Sequence, residues 1–168
     1  MKKNDVEKFV EAWGAMGALM GFSASTARVH ALLIASDKAL CLGDIADELG
    51  ISRGNASMCL KELRSWGVVS RVSKAAGDRR DYFETESDIW KMAYTIANER
   101  KRRDFDPAMR GLEDVLGQVN GEGPAATRLA EMREFVVMMK GIADRLLGNE
   151  AAAKQLMWML GGTKGGGE

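Results

Sequence analysis

"LGDIADELGISRGNASMCLKELRSWGVV", residues 42–69, spells two helices and the turn between them. Ile45, Ala46 and Leu49 fall on one face of a short helix, Gly50 ends it, and Ile51 fills the corner that follows. Ser52 is placed to cap a second helix, in which Ala56, Cys59, Leu60 and Leu63 recur at three- and four-residue spacing. Trp66 and Gly67 close that helix. A short helix, a tight Gly-containing turn and a longer helix predict a helix-turn-helix.

If the apolar face points inward, Arg53, Asn55, Ser57, Met58 and Lys61 point outward. The start of this helix is bare: Ser52, Gly54, Asn55, Ala56 and Ser57 are all small, and Arg53 stands alone among them. A merely solvated face favours Glu, Lys and Gln for their helix propensity. Gly, Asn and Ser in one turn cost helix stability but let the backbone approach a partner closely. Ser52 and the free backbone N–H groups at the helix start suit a phosphate. Arg53 suits guanine and Asn55 adenine, each good bidentate pair discriminating by about 1–3 kcal/mol.

Past Gly67 the pattern changes. "VVSRVSK" (68–74) and "RDYFE" (80–84) are rich in β-branched and aromatic residues and flank "AAGD" (75–78). They predict a two-stranded hairpin with its tip near Ala75–Arg80. A hairpin directly after a helix-turn-helix is a wing. Lys74, Arg79 and Arg80 lie on it, with Asp78 near enough to orient an arginine. An arginine inserted into a narrow minor groove reads shape more than sequence.

Charge is segregated around these two features. The 168-residue chain has a net charge of zero, yet residues 52–81 carry seven basic and three acidic side chains, leaving the remainder at −4. Local segregation of this kind marks a docking surface for an anion. Forty-six per cent apolar residues and few prolines fit a globular chain, with low complexity confined to "GGTKGGGE" at the end. No apolar run approaches a bilayer span, and "MKKNDVEKFVEAWG" lacks the apolar core of a secretion signal, so the expected location is the cytoplasm, without a membrane partner. Two cysteines (Cys41, Cys59) and one histidine (His30) are too few and too scattered for a zinc site, and no metal or other cofactor is expected. The cysteines read as buried small hydrophobes, and His30 as a surface or edge residue without a role. With no phosphate-cradling Gly loop and no catalytic carboxylate or histidine constellation, the chain does not read as an enzyme.

Helices are predicted on both sides of this module. "DVEKFVEAWGAMGALMGF" (5–22) places Val6, Phe9, Val10, Trp13, Met16, Leu19 and Met20 at helical spacing, with Asp5 as candidate cap. Its glycines Gly14, Gly17 and Gly21 weaken it as an isolated helix and suit close approach to a partner. "SASTARVHALLIASD" (23–37) follows with Ser23 or Ser25 at its start. From Ile89 a helical pattern runs on, with a break or bend expected before Pro107 and a solvated charged run at "ERKRR" (99–103). "ATRLAEMREFVVMMKGIADRLLG" (126–148) then carries a broad apolar stripe, and "EAAAKQLMWML" (150–160) is a last helix. Helices this apolar need somewhere to bury themselves; a second copy of the chain is the economical partner, and folding back on their own domain is the alternative. Trp13, Trp90 and Tyr94 could box a cationic ligand, but at helical spacing they read as core, so no ligand pocket is assigned.

The stretch from Leu42 to Met92 resembles the GbsR branch of the MarR-type winged-helix transcriptional regulators. "SRGNASMCLKELRSWGVV" (52–69) and "GDRRDYFE" (77–84) are the specific part. The resemblance implies a homodimer on a pseudo-palindromic, inverted-repeat site in double-stranded DNA, with the recognition helix in the major groove and the wing in the adjacent minor groove. It makes Ser52, Arg53, Asn55, Ser57 and Lys61 the groove-facing set, with Lys74, Arg79 and Arg80 on the wing. Cys41 departs from the pattern, standing where such proteins often cap the first helix with Thr or Ser. Repression controlled by a small-molecule effector is the implied mode of action, with no effector identified.

The expected organisation is mostly α: an N-terminal dimerisation helix (1–22), a winged helix-turn-helix domain (23–86), a helical linker and dimerisation region (87–160) and a disordered tail (161–168). Two other readings fit the residues: a winged-helix module docking an acidic protein, and a thiol-based redox-sensing regulator using Cys41 and Cys59.

Overall fold

The structure, a computed structural model, describes residues 2–73 and 79–161. The chain divides into two compact units, Met1–Ile96 and Ala97–Glu168.

The first unit opens with α1 (Lys3–Met20) and α2 (Ala24–Ile34). α1 starts earlier than the expected cap at Asp5. The Asp5 N–H already bonds the Lys2 carbonyl at 3.0 Å, which puts the carboxylate in the first turn, where it complements the helix dipole. The glycines of α1 meet α2 closely. A Cβ added at Gly14 would stand 2.7 Å from Arg28 Cγ, and one at Gly17 would stand 2.8 Å from Ala27 Cβ and 3.2 Å from the Ser23 carbonyl. Ser23 caps α2, its Oγ accepting the Thr26 N–H at 3.1 Å.

The helix-turn-helix follows as α3 (Leu42–Leu49) and α4 (Arg53–Ser65). Gly50 ends α3 in the left-handed conformation at φ 62°, where glycine has no Cβ to clash. The Ile51 N–H returns to the Ala46 carbonyl at 3.0 Å, fixing the corner. Ala56, Cys59, Leu60 and Leu63 are all buried, as their spacing predicts.

The sheet has three antiparallel strands, not two: β1 (Leu40–Cys41), β2 (Val69–Val72) and β3 (Tyr82–Thr85), in the order β1-β3-β2. Leu40 pairs with Phe83, and Val69 with Thr85. A two-residue strand is too short to show an alternating pattern, which is why β1 goes unpredicted. Cys41 ends β1 and caps α3: its Sγ accepts the Asp44 N–H at 3.5 Å, and the Asp44 carboxylate accepts the Cys41 N–H at 3.1 Å. The thiol thus fills the place of the usual hydroxyl, and the carboxylate completes a capping box.

α5 (Ile89–Arg100) sends Met92 and Ile96 into the core of the first unit, together with Phe22, Val29, Leu33, Leu60 and Trp66. Trp90, read as core from sequence, is exposed, because the helix reaches the core only from Met92 onward. His30 departs furthest from expectation. It is fully buried, since its neighbours Val29, Ala31 and Leu32 all pack inward on α2. The Thr85 hydroxyl donates to the Val68 carbonyl at 2.9 Å, so His30 Nε2 is the donor to Thr85 Oγ1 at 3.2 Å. Burial holds the imidazole neutral and pushes its pKa down to about 4.

In the second unit the chain does not break before Pro107. A π-turn (Lys101–Phe105) leads directly into α6 (Asp106–Gly117). The Asp106 N–H bonds the Lys101 carbonyl five residues back, and this widened turn accommodates a proline that lacks its own donor. α7 (Pro124–Leu147) and α8 (Glu150–Gly161) complete the unit. Lys101 Nζ reaches Asp106 at 2.9 Å and Asp144 of α7 at 2.7 Å, and Lys140 of α7 pairs with Glu113 of α6. Among the described residues of this unit the buried hydrophobics are Leu116, Val136 and Ala153, while Val115, Leu129, Met132, Phe135, Val137 and Met138 are exposed. Gly161 ends α8, and residues 162–168, expected as a disordered tail, lie outside the described residues. Among the described residues no helix is long and apolar enough to cross a membrane.

Candidate nucleic-acid interface

The side of α4 that flanks its buried stripe next to Leu60 carries Arg53, Ser57, Lys61 and Arg64, all exposed. The spacing of four, four and three residues keeps them on one line. This line forms one wall of a groove of about 750 Å³, whose other walls are the start of α3 (Leu42, Gly43, Asp44, Asp47) and the base of the wing (Arg80, Asp81, Phe83). Arg64 belongs to this surface too, although the sequence reading counts it only among the seven basic residues of 52–81; the i+4, i+8, i+11 series from Arg53 is the signal that finds it. Among the described residues, Arg53, Lys61, Arg64 and Arg79 form no ion pair. Their charge is available to an external anion.

Ser52 caps α4, with its Oγ accepting the Asn55 N–H at 3.1 Å, so its lone pair is engaged and its hydroxyl hydrogen remains to donate. Arg53 extends toward Gly43, whose absent Cβ would lie 3.7 Å from Arg53 Nη2. Asn55 is half-buried, and its Oδ1 accepts the Cys59 thiol at 3.3 Å. Gly54 has open space around it: an added Cβ would meet nothing nearer than Ser52 Oγ at 3.9 Å, and its φ is negative. No packing inside the chain requires a glycine there.

The wing residues part company. Lys74 and Asp78 lie outside the described residues, and so does most of the hairpin tip. Arg79 is exposed. Arg80 turns back along the base of the wing, its guanidinium carbon 5.3 Å from the Tyr82 ring centroid and its Nη1 4.0 Å from Cys41 Sγ. There it helps hold the Asp44 carboxyl below the usual carboxylate range, an effect led by the Cys41 N–H bond. Arg71 pairs with Asp81, so part of the positive charge counted in the sequence is neutralised within the hairpin.

Behind α4 a part-buried polar chain centred on the buried Thr26 ties the helix to α2. Thr26 Oγ1 donates to Glu62 Oε2 at 2.6 Å and lies 2.9 Å from Ser23 Oγ, joining the start of α2 to the middle of α4. Both cysteines are free and buried, and burial pushes the Cys59 thiol up. Among the described residues no cluster of three or more His, Cys, Asp or Glu could hold a metal ion. The surface offers exposed cations and hydroxyls on one helix.

Comparison with known proteins agrees with this geometry. Residues 25–71 match the family described as "Bacterial regulatory protein, arsR family". A solved structure described as "Crystal Structure of a transcriptional regulator" is 27% identical, with a TM-score of 0.58, over 86% of this chain and 96% of its own. No curated protein matches the chain. The first unit is a winged helix-turn-helix domain, similar over residues 25–71 to the arsR family of bacterial regulatory proteins and borne by a chain similar along most of its length to a transcriptional regulator.

Proposed function

We propose that the protein is a sequence-specific regulator of transcription, a cytoplasmic homodimer of the GbsR branch of the MarR type that represses from an inverted-repeat operator under control of a small-molecule effector. The observation that carries the reading is the line Arg53, Ser57, Lys61 and Arg64 on α4, whose cations form no ion pair among the described residues, beside a first turn whose Gly54 no contact among those residues demands. α4 enters the major groove, where Arg53 takes a bidentate position on a base edge and Ser52, Lys61 and Arg64 take phosphates. Arg79 follows the wing to the adjacent minor groove, and Lys74 is assigned beside it; Arg80 supports the wing from its base. Homodimerisation is supported by the exposed apolar residues of α6, α7 and α8, which outnumber the buried ones among the described residues of that unit. A twofold dimer sets two copies of α4 about one DNA turn apart.

The test is selection of bound duplexes from random DNA with the wild type, Arg53→Ala and Arg79→Ala, each titrated against salt. The wild type enriches an inverted repeat, with affinity falling steeply as salt rises. Arg53→Ala relaxes base preference within each half-site, and Arg79→Ala lowers affinity and salt slope with the motif intact. Identical motifs and affinities for all three proteins refute the assigned roles. Sedimentation at equilibrium tests the dimer directly.

A further inference from the structure

Asn55, half-buried on α4, is tied to the core by its side chain. Cys59 lies one turn on, 4% exposed, with its Sγ 3.3 Å from Asn55 Oδ1. A protonated thiol has one hydrogen to give and is a poor acceptor, so it pairs with the amide oxygen and not with the amide nitrogen. Burial keeps Cys59 a thiol at neutral pH, and the donor is always present. The same contact holds Oδ1 toward Cys59, and among the described residues Asn55 Nδ2 forms no hydrogen bond.

From this juxtaposition, and resting on the DNA-binding reading above, we infer that Asn55 reads its base as a hydrogen-bond donor alone and that Cys59 is the positioning residue that makes it so. The pairing of asparagine with adenine uses both ends of the amide, Oδ1 accepting from N6 and Nδ2 donating to N7. An inward Oδ1 removes the first of these. Guanine, with O6 and N7 as adjacent acceptors, becomes the favoured base at this position, and adenine loses its advantage. This replaces the adenine assignment that the residue type alone suggests.

The experiment is duplex selection with full-length wild type, Asn55→Ala, Cys59→Ser, Cys59→Ala and Cys59→Val. The wild type enriches guanine at one position of each half-site by about tenfold over adenine, and Asn55→Ala loses that preference there and nowhere else. Cys59→Ser keeps a donor and keeps the guanine. Cys59→Ala and Cys59→Val, which remove the donor while keeping an apolar core residue, release Oδ1 and move the preference to adenine at the same position. Two apolar variants are included so that one that fails to fold leaves the other to decide. Guanine retained by the apolar variants, adenine already preferred by the wild type, or a motif untouched by Asn55→Ala overturns the assignment while leaving the DNA-binding conclusion standing. Failure of every protein to enrich any duplex overturns that conclusion and this one with it.

Discussion

Gly54→Ala separates a glycine kept for the fold from one kept for a partner. An alanine Cβ at this position meets nothing nearer than 3.9 Å, and the backbone is not in the left-handed region, so the free protein has no reason to resist it. Replacing glycine by alanine within a helix stabilises by about 0.5–1 kcal/mol, with the upper figure a limit here because Gly54 lies in the first turn. At a urea dependence of about 2 kcal/mol per molar, the unfolding midpoint rises by about 0.2–0.5 M. On DNA the sign reverses. A methyl group between the start of α4 and the groove floor forces the backbone outward and weakens operator binding by about tenfold, comparable to one mismatched base pair. Urea denaturation and fluorescence anisotropy on the selected duplex measure both effects on one preparation. A variant that gains stability and binds as tightly as the wild type would falsify the close approach of this helix start. A variant that loses stability would mean that the first turn packs against something within the chain.

Three further outcomes follow from the interior. His30 stays neutral in the fold while the unfolded chain protonates near the ordinary histidine value of 6.5, so stability is full above that pH and is lost as pH falls toward about 4; by linkage this amounts to about 2 kcal/mol between pH 7.5 and 5, a loss that His30→Gln does not show in urea titrations at the two pH values. Gly17→Ala drives a methyl group against Ala27 Cβ and destabilises by about 1 kcal/mol after the gain in helix propensity, whereas Gly111→Ala, which meets open space, stabilises by up to about 1 kcal/mol; equal signs in thermal melts refute the close α1–α2 contact. Thr26→Val removes the donor to Glu62 and costs about 2 kcal/mol, the value of a hydrogen bond to a charged acceptor, and a loss below half of that in urea denaturation means the bond does not anchor α4.

The helix-turn-helix was legible because every residue that holds it obeys one period. Ala56, Cys59, Leu60 and Leu63 face in, polar side chains face out, and a glycine and a serine mark the ends. Features outside that periodicity were not legible. β1 is two residues long. The polar run at 99–103 shows no apolar face, so a break before Pro107 and a π-turn look alike in sequence. His30 has a polar name and an apolar address: its burial is set by neighbours on α2, which residue type does not reveal. The Cys59–Asn55 contact joins a residue read as core to one read as surface, and the i,i+4 spacing that brings them together was used only to sort faces. Arg80 could be counted among the wing cations, but its return toward Tyr82 and Cys41 depends on β1 lying beside β3.

The division of labour along α4 has a practical corollary. Apart from Leu60, which does both, the side chains of α4 that seat the helix and those that line the groove are different residues, so Arg53, Ser57, Lys61 and Arg64 can be exchanged without repacking the interior. A library varied at those four sites should yield folded proteins with new targets at little thermodynamic expense. Asn55 is the exception: retargeting there requires Cys59 to change in step, so two codons must move together.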